Sequence, residues 1–201
     1  MANKYIVVDV EASGPIPEKY DMLSFGACIA GESDKQFYRE LKPTSKNYDI
    51  DAMRVGSKGL KCLDDVKNWG KYNPKSNLFE PKAVLDVLTE KGESPKEAMN
   101  DFSNWIITNS QENRPIFLSE NLVFDGMFIF YYFHKFTGKN PFGHSGEDIG
   151  SIYKGIKENI YASLRNVKID ENLFHTHNAL DDAVLKTKKS EKILGMLKYG
   201  K

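Results

Sequence analysis

The stretch that decides the fold is YIVVDVEASG, at residues 5–14. Apart from its acids, its first part is apolar and mostly β-branched, a pattern that predicts a strand buried on both faces. Gly14 and Pro15 then end the regular structure. Asp9 and Glu11 lie two residues apart near the end of this strand, so their side chains point to the same face. Two buried carboxylates repel each other, and a bound metal or a basic partner is needed to offset their charge.

Around this strand, apolar spacing and turn residues predict the remaining elements. Ser94, Pro95 and Glu97 mark the start of one helix, because they suit an N-cap, a first helical position and a capping box. Three strands in succession predict an antiparallel meander, and the whole order is that of a mixed α/β protein. The predicted strands after the first are 22–30, 36–41 and 115–119, with a polar turn at 31–34, and two further predicted helices span 125–137 and 178–197.

Residues 42–81 show no clear apolar periodicity and are rich in Pro, Asn, Lys, Asp and Gly. We expect loops with short helical pieces there. A segment of this length without periodicity is usually functional or an insertion. Because no repeat or linker divides the chain, we expect a single domain over 1–201 with an insertion at about 45–93.

The composition excludes broad classes of function. The chain has 201 residues, and its 28 Lys and Arg balance its 28 Asp and Glu, which argues against a polycation that coats nucleic acid or membrane. There is no apolar run of about eighteen residues and no secretion signal, so we expect a cytoplasmic protein without a membrane partner. Cys28 and Cys62 match neither a metal pair nor a disulfide framework, and we expect both to be reduced.

Two later motifs place acids and a histidine beside predicted helix starts. Asp125 follows a buried strand within NLVFDGMF, residues 121–128, which is also a common place for an ordinary first-turn acid. His177 and Asp182 lie five residues apart in HNALDDA, residues 177–183. Each motif alone is weak evidence of a site. The ordered set Asp-x-Glu, Asp and His-x4-Asp is hard to obtain by chance.

Together these motifs resemble the DEDDh 3'-5' exonucleases of the ribonuclease H-like superfold, which include ribonuclease T, oligoribonuclease and the proofreading subunit of bacterial polymerase III. The resemblance spans nearly the whole chain, with residues 8–14, 121–128 and 177–183 matching the three family motifs in order. Asn178 stands where the DEDDy branch has Tyr, which favours the His branch. The resemblance implies an α/β fold whose mixed central sheet has three antiparallel strands followed by parallel strands, flanked by helices.

The resemblance also implies the chemistry. Family members hydrolyse phosphodiester bonds at the 3' end of single-stranded DNA or RNA and release 5'-mononucleotides, using two Mg²⁺ or Mn²⁺ ions that suit hard oxygen ligands. By this resemblance Asp9 bridges both ions, while Glu11 and Asp182 complete the first. Asp125 then holds the second ion. His177 is the general base that takes a proton from the attacking water.

Several neighbouring residues leave alternatives open. Asp181 is a second candidate ligand beside Asp182, although the motif spacing selects Asp182. His134 is predicted to pack in the core of the aromatic helix. The lysines of the last helix either hold phosphates or form a solvated face. These lysines are Lys186, Lys188, Lys189 and Lys192, and the weaker candidates for the base are His134, His144 and His175.

Contacts to the terminal nucleotide are expected on both sides of the acids. Phe124 and Phe128 flank Asp125 and are the aromatic side chains best placed to stack on a base. The other aromatic residues of that helix are expected in the core, because a helix that is apolar nearly all round is buried. Analogy with the family adds positions in and after the first motif. The expected substrate contacts are Ala12, Ser13, Leu23, Phe124 and Phe128.

Two other functions are compatible with the sequence. One is a module that binds nucleic-acid ends without cutting them, and the other is an interaction subunit docked on a polymerase. His177 argues against both, since a binding protein has no need of a general base. The resemblance leaves open DNA or RNA as the substrate, and a homodimer or a polymerase-associated subunit as the assembly.

Overall fold

The computed structural model describes residues 2–169 and 173–199 and is built around a five-stranded mixed sheet. Its strands are β1 (Asn3–Ala12), β2 (Met22–Ile29), β3 (Glu32–Glu40), β4 (Arg114–Ser119) and β5 (Gly146–Asp148). They lie in the order β3-β2-β1-β4-β5. The pairs β1–β2 and β2–β3 are antiparallel, and the pairs β1–β4 and β4–β5 are parallel. This topology confirms the predicted mixed sheet.

Helices cover both faces of the sheet. In the described ranges they are α1 (Ile50–Gly56), α2 (Pro81–Lys91), α3 (Pro95–Ser110), α4 (Leu122–Thr137), α5 (Ile149–Ile156) and α6 (Ala179–Tyr199). One hydrophobic cluster joins the sheet to α3 and α4, and a second joins it to α5 and α6. Each helix therefore buries one apolar face against the sheet.

The alternation of side chains along β1 decides which helices its acids meet. Ile6 and Val8 pack in the cluster of α3 and α4, whereas Val7 packs with α5 and α6. Asp9 and Glu11 follow Val7 at the period of a strand, so they point to the α6 side. The pairing of β1 with β4 runs from Asn3 to Val7. The carboxyl end of β1 therefore extends beyond β4, and its acids face a gap at the end of the sheet.

Two elements begin three or four residues before their predicted starts. β3 begins at Glu32, four residues before the predicted start, and the turn at Gly31 has a φ of 87° that favours glycine. The sequence pattern missed these residues because β3 is an edge strand and carries polar, partly exposed side chains. α4 begins at Leu122, so Asp125 lies inside its first turn instead of at its start.

Residues 45–93, the segment that the sequence predicted to be an insertion, are more ordered than predicted. Besides α1 the segment contains α2, where Pro81 occupies the first turn. Its apolar residues form a third hydrophobic cluster, in which Met53, Leu60 and Leu85 are buried against Leu23 of β2. The segment therefore packs onto the sheet through a core of its own.

The cysteines and helices give no sign of a disulfide or a membrane span. Both thiols are unpaired, with Cys28 buried and Cys62 partly buried. Burial raises the pKa of both thiols, which makes them poor nucleophiles. Among residues 2–169 and 173–199, no helix combines the length and apolarity that crossing a bilayer requires.

Candidate active site

The two acids of β1 are buried where the strand ends. Asp9 is 4% exposed and Glu11 is 7% exposed. Burial raises the pKa of Asp9 to about 7, against the lowering effect of Lys186. Burial, followed by the charge of Asp9, raises the pKa of Glu11 well above its usual range. Two carboxyl groups in this state have a strong tendency to bind either protons or a cation.

Asp125 joins these acids from the first turn of α4. Its Oδ1 accepts a hydrogen bond of 3.1 Å from the backbone N–H of Val10, and its Oδ2 accepts one from the hydroxyl of Ser119. The side chain is 2% exposed, and burial raises its pKa. Asp125 is thus turned back toward β1 and is not an ordinary solvated first-turn acid.

Asp182 is held by the loop that precedes α6. Its two oxygens accept hydrogen bonds of 2.9 Å and 3.0 Å from the backbone N–H groups of Thr176 and His177. Asp182 is fully buried, whereas its neighbour Asp181 is exposed. Asn178 caps the helix, with its Oδ1 accepting from the N–H of Leu180 at 3.1 Å. The geometry therefore brings Asp182, and not Asp181, to the other acids.

Two histidines of the same loop face the acids. The Nδ1 atom of His177 lies 3.9 Å from Oε1 of Glu11, and Nδ1 of His175 lies 2.6 Å from Oδ2 of Asp182. Their ring centroids are 4.2 Å apart. Burial, the neighbouring His175 and Lys58 lower the pKa of His177, so its imidazole is neutral at neutral pH. His177 also has a φ of 60°, an uncommon backbone conformation for this residue.

The other two histidines lie elsewhere. His134 is exposed on α4, so the prediction of a core histidine there is wrong. The helix turns this position away from the sheet, although its neighbours Tyr132 and Phe133 are buried. His144 contacts Ser145 on an exposed loop at 2.9 Å.

Lys186 is a site residue that the sequence indicated only as one of four lysines on the last helix. It follows Asp182 by one helical turn, is 9% exposed, and its ammonium donates to Oδ1 of Asp9. It is therefore not part of a solvated face. Lys192 on the same helix is exposed, as the sequence suggested. The sequence feature that could have identified Lys186 was its spacing of four residues from Asp182, which puts both side chains on one side of α6.

These groups surround a cavity of about 480 Å³. Its size is in the range of sites for small ligands. α1 of the insertion forms one wall, with Ala52, Val55 and Gly56. The acidic and basic groups that line the cavity are Asp9, Glu11, Asp49, Asp125, His175, His177 and Lys186.

The arrangement agrees with a comparison of the chain with known protein families. Residues 4–194 match the family model of the 3'-5' exoribonuclease Rv2179c-like domain. The chain belongs to this family. It is also 37% identical over 184 residues to the 3'-5' DNA exonuclease Cap18 of Escherichia coli, with 89% of this chain and 85% of Cap18 covered. This member of the Rv2179c-like family is thus a 3'-5' exonuclease by descent, and a hydrolase, which confirms the resemblance drawn from the motifs.

Solved structures of exonuclease I share the fold of this Rv2179c-like domain. The zinc-bound complex of E. coli exonuclease I with single-stranded DNA has a TM-score of 0.56 and 14% identity, covering 100% of this chain and 41% of that chain. The E. coli exonuclease I complex with a dA16 oligonucleotide has a TM-score of 0.59 and 13% identity, covering 98% and 42%. The chain thus spans about two fifths of these structures, and the likeness supports the fold.

Of the five expected substrate contacts, the structure brings two to the cavity of this Rv2179c-like domain. Ala12 and Phe124 line it. Leu23 is fully buried in the cluster of the insertion, and Phe128 is fully buried on the core-facing side of α4. Ser13 is buried as well, and its hydroxyl donates to the carbonyl of Asn47 at 2.7 Å. A nucleotide in this cavity would therefore not contact the last three side chains, because packing against the insertion and the core covers them.

The site also fits a divalent metal ion. The donor oxygens of Asp9, Glu11 and Asp182 all lie within 4.8 Å of one another. Oδ2 of Asp9 is buried and has no hydrogen-bond partner among the described residues. A buried carboxylate oxygen without a partner is costly, and a cation would remove that cost. A cluster of carboxylate oxygens is the kind of ligand set that binds Mg²⁺ or Mn²⁺.

Proposed function

We propose that this protein is a metal-dependent 3'-5' exonuclease that releases 5'-mononucleotides from the 3' end of single-stranded DNA or RNA. The observation that carries the proposal is the convergence of Asp9, Glu11 and Asp182, with oxygens within 4.8 Å of one another, beside a cavity that also contains His177. The motifs that supply these residues come from three separate parts of the chain. Their convergence is what a hydrolytic site needs and what a structural role does not require.

The four acids are assigned as the ligands of two Mg²⁺ or Mn²⁺ ions. Following the family resemblance, Asp9 is shared, Glu11 and Asp182 belong to the first ion, and Asp125 belongs to the second. An anionic phosphodiester would be repelled by these carboxylates alone. When bound, the ions offset this charge, lower the pKa of a water molecule and stabilise the leaving 3'-oxygen.

His177 is assigned as the general base. It lines the cavity, and its Nδ1 lies 3.9 Å from Oε1 of Glu11. Its pKa is lowered by burial and by the positive groups around it, so the imidazole is free to accept the proton of an attacking water. The backbone N–H of His177 is bonded to Asp182, which fixes the loop that carries the base.

The substrate is assigned as an unpaired 3' end. A cavity of about 480 Å³ closed by α1 suits one terminal nucleotide better than a base pair. Phe124 lines the cavity beside Asp125 and offers a ring for the terminal base. The family model is named for RNA and Cap18 for DNA. Parallel digestion of matched DNA and RNA strands therefore shows which of the two nucleic acids is the substrate.

The test compares two adjacent aspartates. Asp182→Asn removes a buried carboxylate of the cluster, whereas Asp181→Asn changes an exposed neighbour and serves as the matched control. Strands labelled at the 5' or the 3' end are digested with Mg²⁺, with Mn²⁺ and with EDTA. We expect Asp181→Asn to keep the wild-type rate, and Asp182→Asn or EDTA to abolish release of 5'-mononucleotides.

Two outcomes would contradict the proposal. Digestion that continues in EDTA or in Asp182→Asn would exclude the metal mechanism. Strands that bind with metal but stay intact would instead favour a module that recognises ends without cutting them. The molar mass of the protein in solution distinguishes a monomer from a homodimer, and co-purification with a polymerase tests the remaining assembly.

The domain organisation and the location of the protein belong to the same proposal. We treat residues 1–201 as one exonuclease domain with an insertion at about 45–93. We place the protein in the cytoplasm, since Cys28 and Cys62 are both unpaired and a reducing compartment keeps thiols in that state. Fluorescence microscopy of a tagged full chain tests the location.

A further inference from the structure

Lys186 places a positive charge among the acids of the site. Its side chain is buried, and its ammonium forms an ion pair with Oδ1 of Asp9. Lys186 reaches the acids from α6, one turn after Asp182, and lines the same cavity. The mechanism assigned above gives this residue no task, and a buried ammonium is costly unless it is paired.

The ion pair leaves the two oxygens of Asp9 in different states. Oδ1 is taken by Lys186, whereas Oδ2 has no hydrogen-bond partner within the described chain. An aspartate can bridge two metal ions by offering one oxygen to each. As the side chains stand, Asp9 has one oxygen available for an ion shared with Glu11 and Asp182.

Lys186 contacts the acid that both ions would share. Its ammonium is paired with Asp9, and Lys186 and Asp125 line the same cavity. Burial by itself lowers the pKa of Lys186, but Asp9 first and then Asp125 raise it above the ordinary value. The carboxylates around the ammonium therefore hold it, in its charged form, at Asp9.

We propose that Lys186 is a built-in counter-ion that holds Oδ1 of Asp9 and competes with the second divalent ion for this oxygen. One ion then binds readily at Asp9, Glu11 and Asp182. A second ion binds only by displacing the ammonium, so its affinity is at least about tenfold weaker. In the metal-free protein the same ammonium stabilises the fold by offsetting part of the buried negative charge. This inference rests on the metal sites of the proposed function.

The experiment is a calorimetric titration of the full chain with Mn²⁺ in the absence of nucleic acid. Lys186→Met keeps the length of the side chain and removes the charge, and Lys192→Met removes an exposed charge from the same helix as the control. We expect one tight and one weak ion in the wild type and in Lys192→Met. Lys186→Met should bind the second ion about tenfold or more tightly than the wild type.

Thermal unfolding in EDTA gives a second readout. Lys186→Met should unfold at a lower temperature than Lys192→Met, because the buried acids lose their counter-ion. Saturating Mn²⁺ should remove this difference. Equal unfolding temperatures in EDTA would contradict the counter-ion role.

A measurement on the wild-type chain tests whether Mn²⁺ displaces the ammonium of Lys186, even if Lys186→Met does not fold. Reductive methylation of lysines followed by peptide mass spectrometry reports how accessible each ammonium is. Saturating Mn²⁺ should increase the methylation of Lys186 and leave that of Lys192 unchanged. The inference would be overturned if the wild type bound two Mn²⁺ ions with equal affinity, or if Mn²⁺ did not change the methylation of Lys186. Either result would leave the exonuclease proposal intact. Failure of the wild type to bind any Mn²⁺ would overturn both.

Discussion

The side-chain amide of Asn178 donates a hydrogen bond of 2.7 Å to the carbonyl of Gly59. This contact joins the loop that carries His177 to the insertion. Gly59 packs so closely that a Cβ atom there would lie 2.3 Å from the carbonyl oxygen of His177. The insertion is thus part of what positions the proposed base, as well as a wall of the cavity.

Gly59→Ala should therefore reduce exonuclease activity without changing any proposed catalytic group. The added methyl group has to displace the backbone of His177 and Asn178, and a shift of about 1 Å can cost roughly a hundredfold in rate. Gly195→Ala is the control, because a Cβ there meets nothing within 4 Å. Steady-state kinetics should show kcat lowered by about tenfold or more in Gly59→Ala and unchanged in Gly195→Ala. Equal rates in both variants would show that the insertion does not position the base.

His177→Gln should lower kcat by about 10²- to 10⁴-fold, the range for loss of a general base. His175→Gln is the matched comparison, since the two rings are 4.2 Å apart but His175 contacts Asp182. Its effect should be smaller, about 10- to 100-fold at most, as for the loss of a partner of a metal ligand. Burial lowers the pKa of His177, so the acid limb of the pH–rate profile should lie below the usual histidine pKa. This limb should vanish only in His177→Gln. A larger loss in His175→Gln would reverse the assignment.

The metal-free protein should lose stability through Asp9 as the pH rises from about 4 to 7. The pKa of this carboxyl is 3.8 in its ordinary state and about 7 in the fold, chiefly because of burial, so the folded state holds the proton more tightly. The stabilisation is complete below the lower value and is lost as pH passes the upper one.

Unfolding temperatures measured in EDTA across this range check the prediction. Asp9→Asn should have a flatter profile than the wild type, since it has no proton to lose at this position. Added Mg²⁺ should reduce the decline in the wild type. If the wild type instead gained stability relative to Asp9→Asn as the pH rose, the predicted rise in the pKa of Asp9 would be contradicted.

Phe124 and Phe128 should respond differently to truncation. Phe124 lines the cavity, so Phe124→Ala should raise KM by about tenfold, consistent with roughly 1–3 kcal/mol of stacking on a base. Phe128 is fully buried, so Phe128→Ala should lower the free energy of unfolding by about 3–5 kcal/mol. Oligonucleotide kinetics and urea unfolding separate the two effects. An unchanged KM in Phe124→Ala would remove this ring from the substrate site.

Local sequence was sufficient for the elements with regular apolar patterns. The strand at β1 and the helix after Ser94 were predictable because side-chain burial repeats with the period of the element. The start of the edge strand β3 and the helix α2 were not, since their exposed polar residues and irregular surroundings hide that period. Leu23 shows the same limit: its strand was predicted, but the packing of the insertion over it was not.

The sequence by itself determined the chemistry available at the site: the ordered acids, the histidine before the last helix and the family they indicate. These are local patterns of residue type and spacing, which a single chain displays directly. Only the tertiary structure decided that Lys186 lies inside the site while Lys192 on the same helix is exposed. It also decided that the insertion contacts the loop of His177. Such choices depend on which face of each element is packed against a partner distant in sequence, and a local pattern does not contain that information.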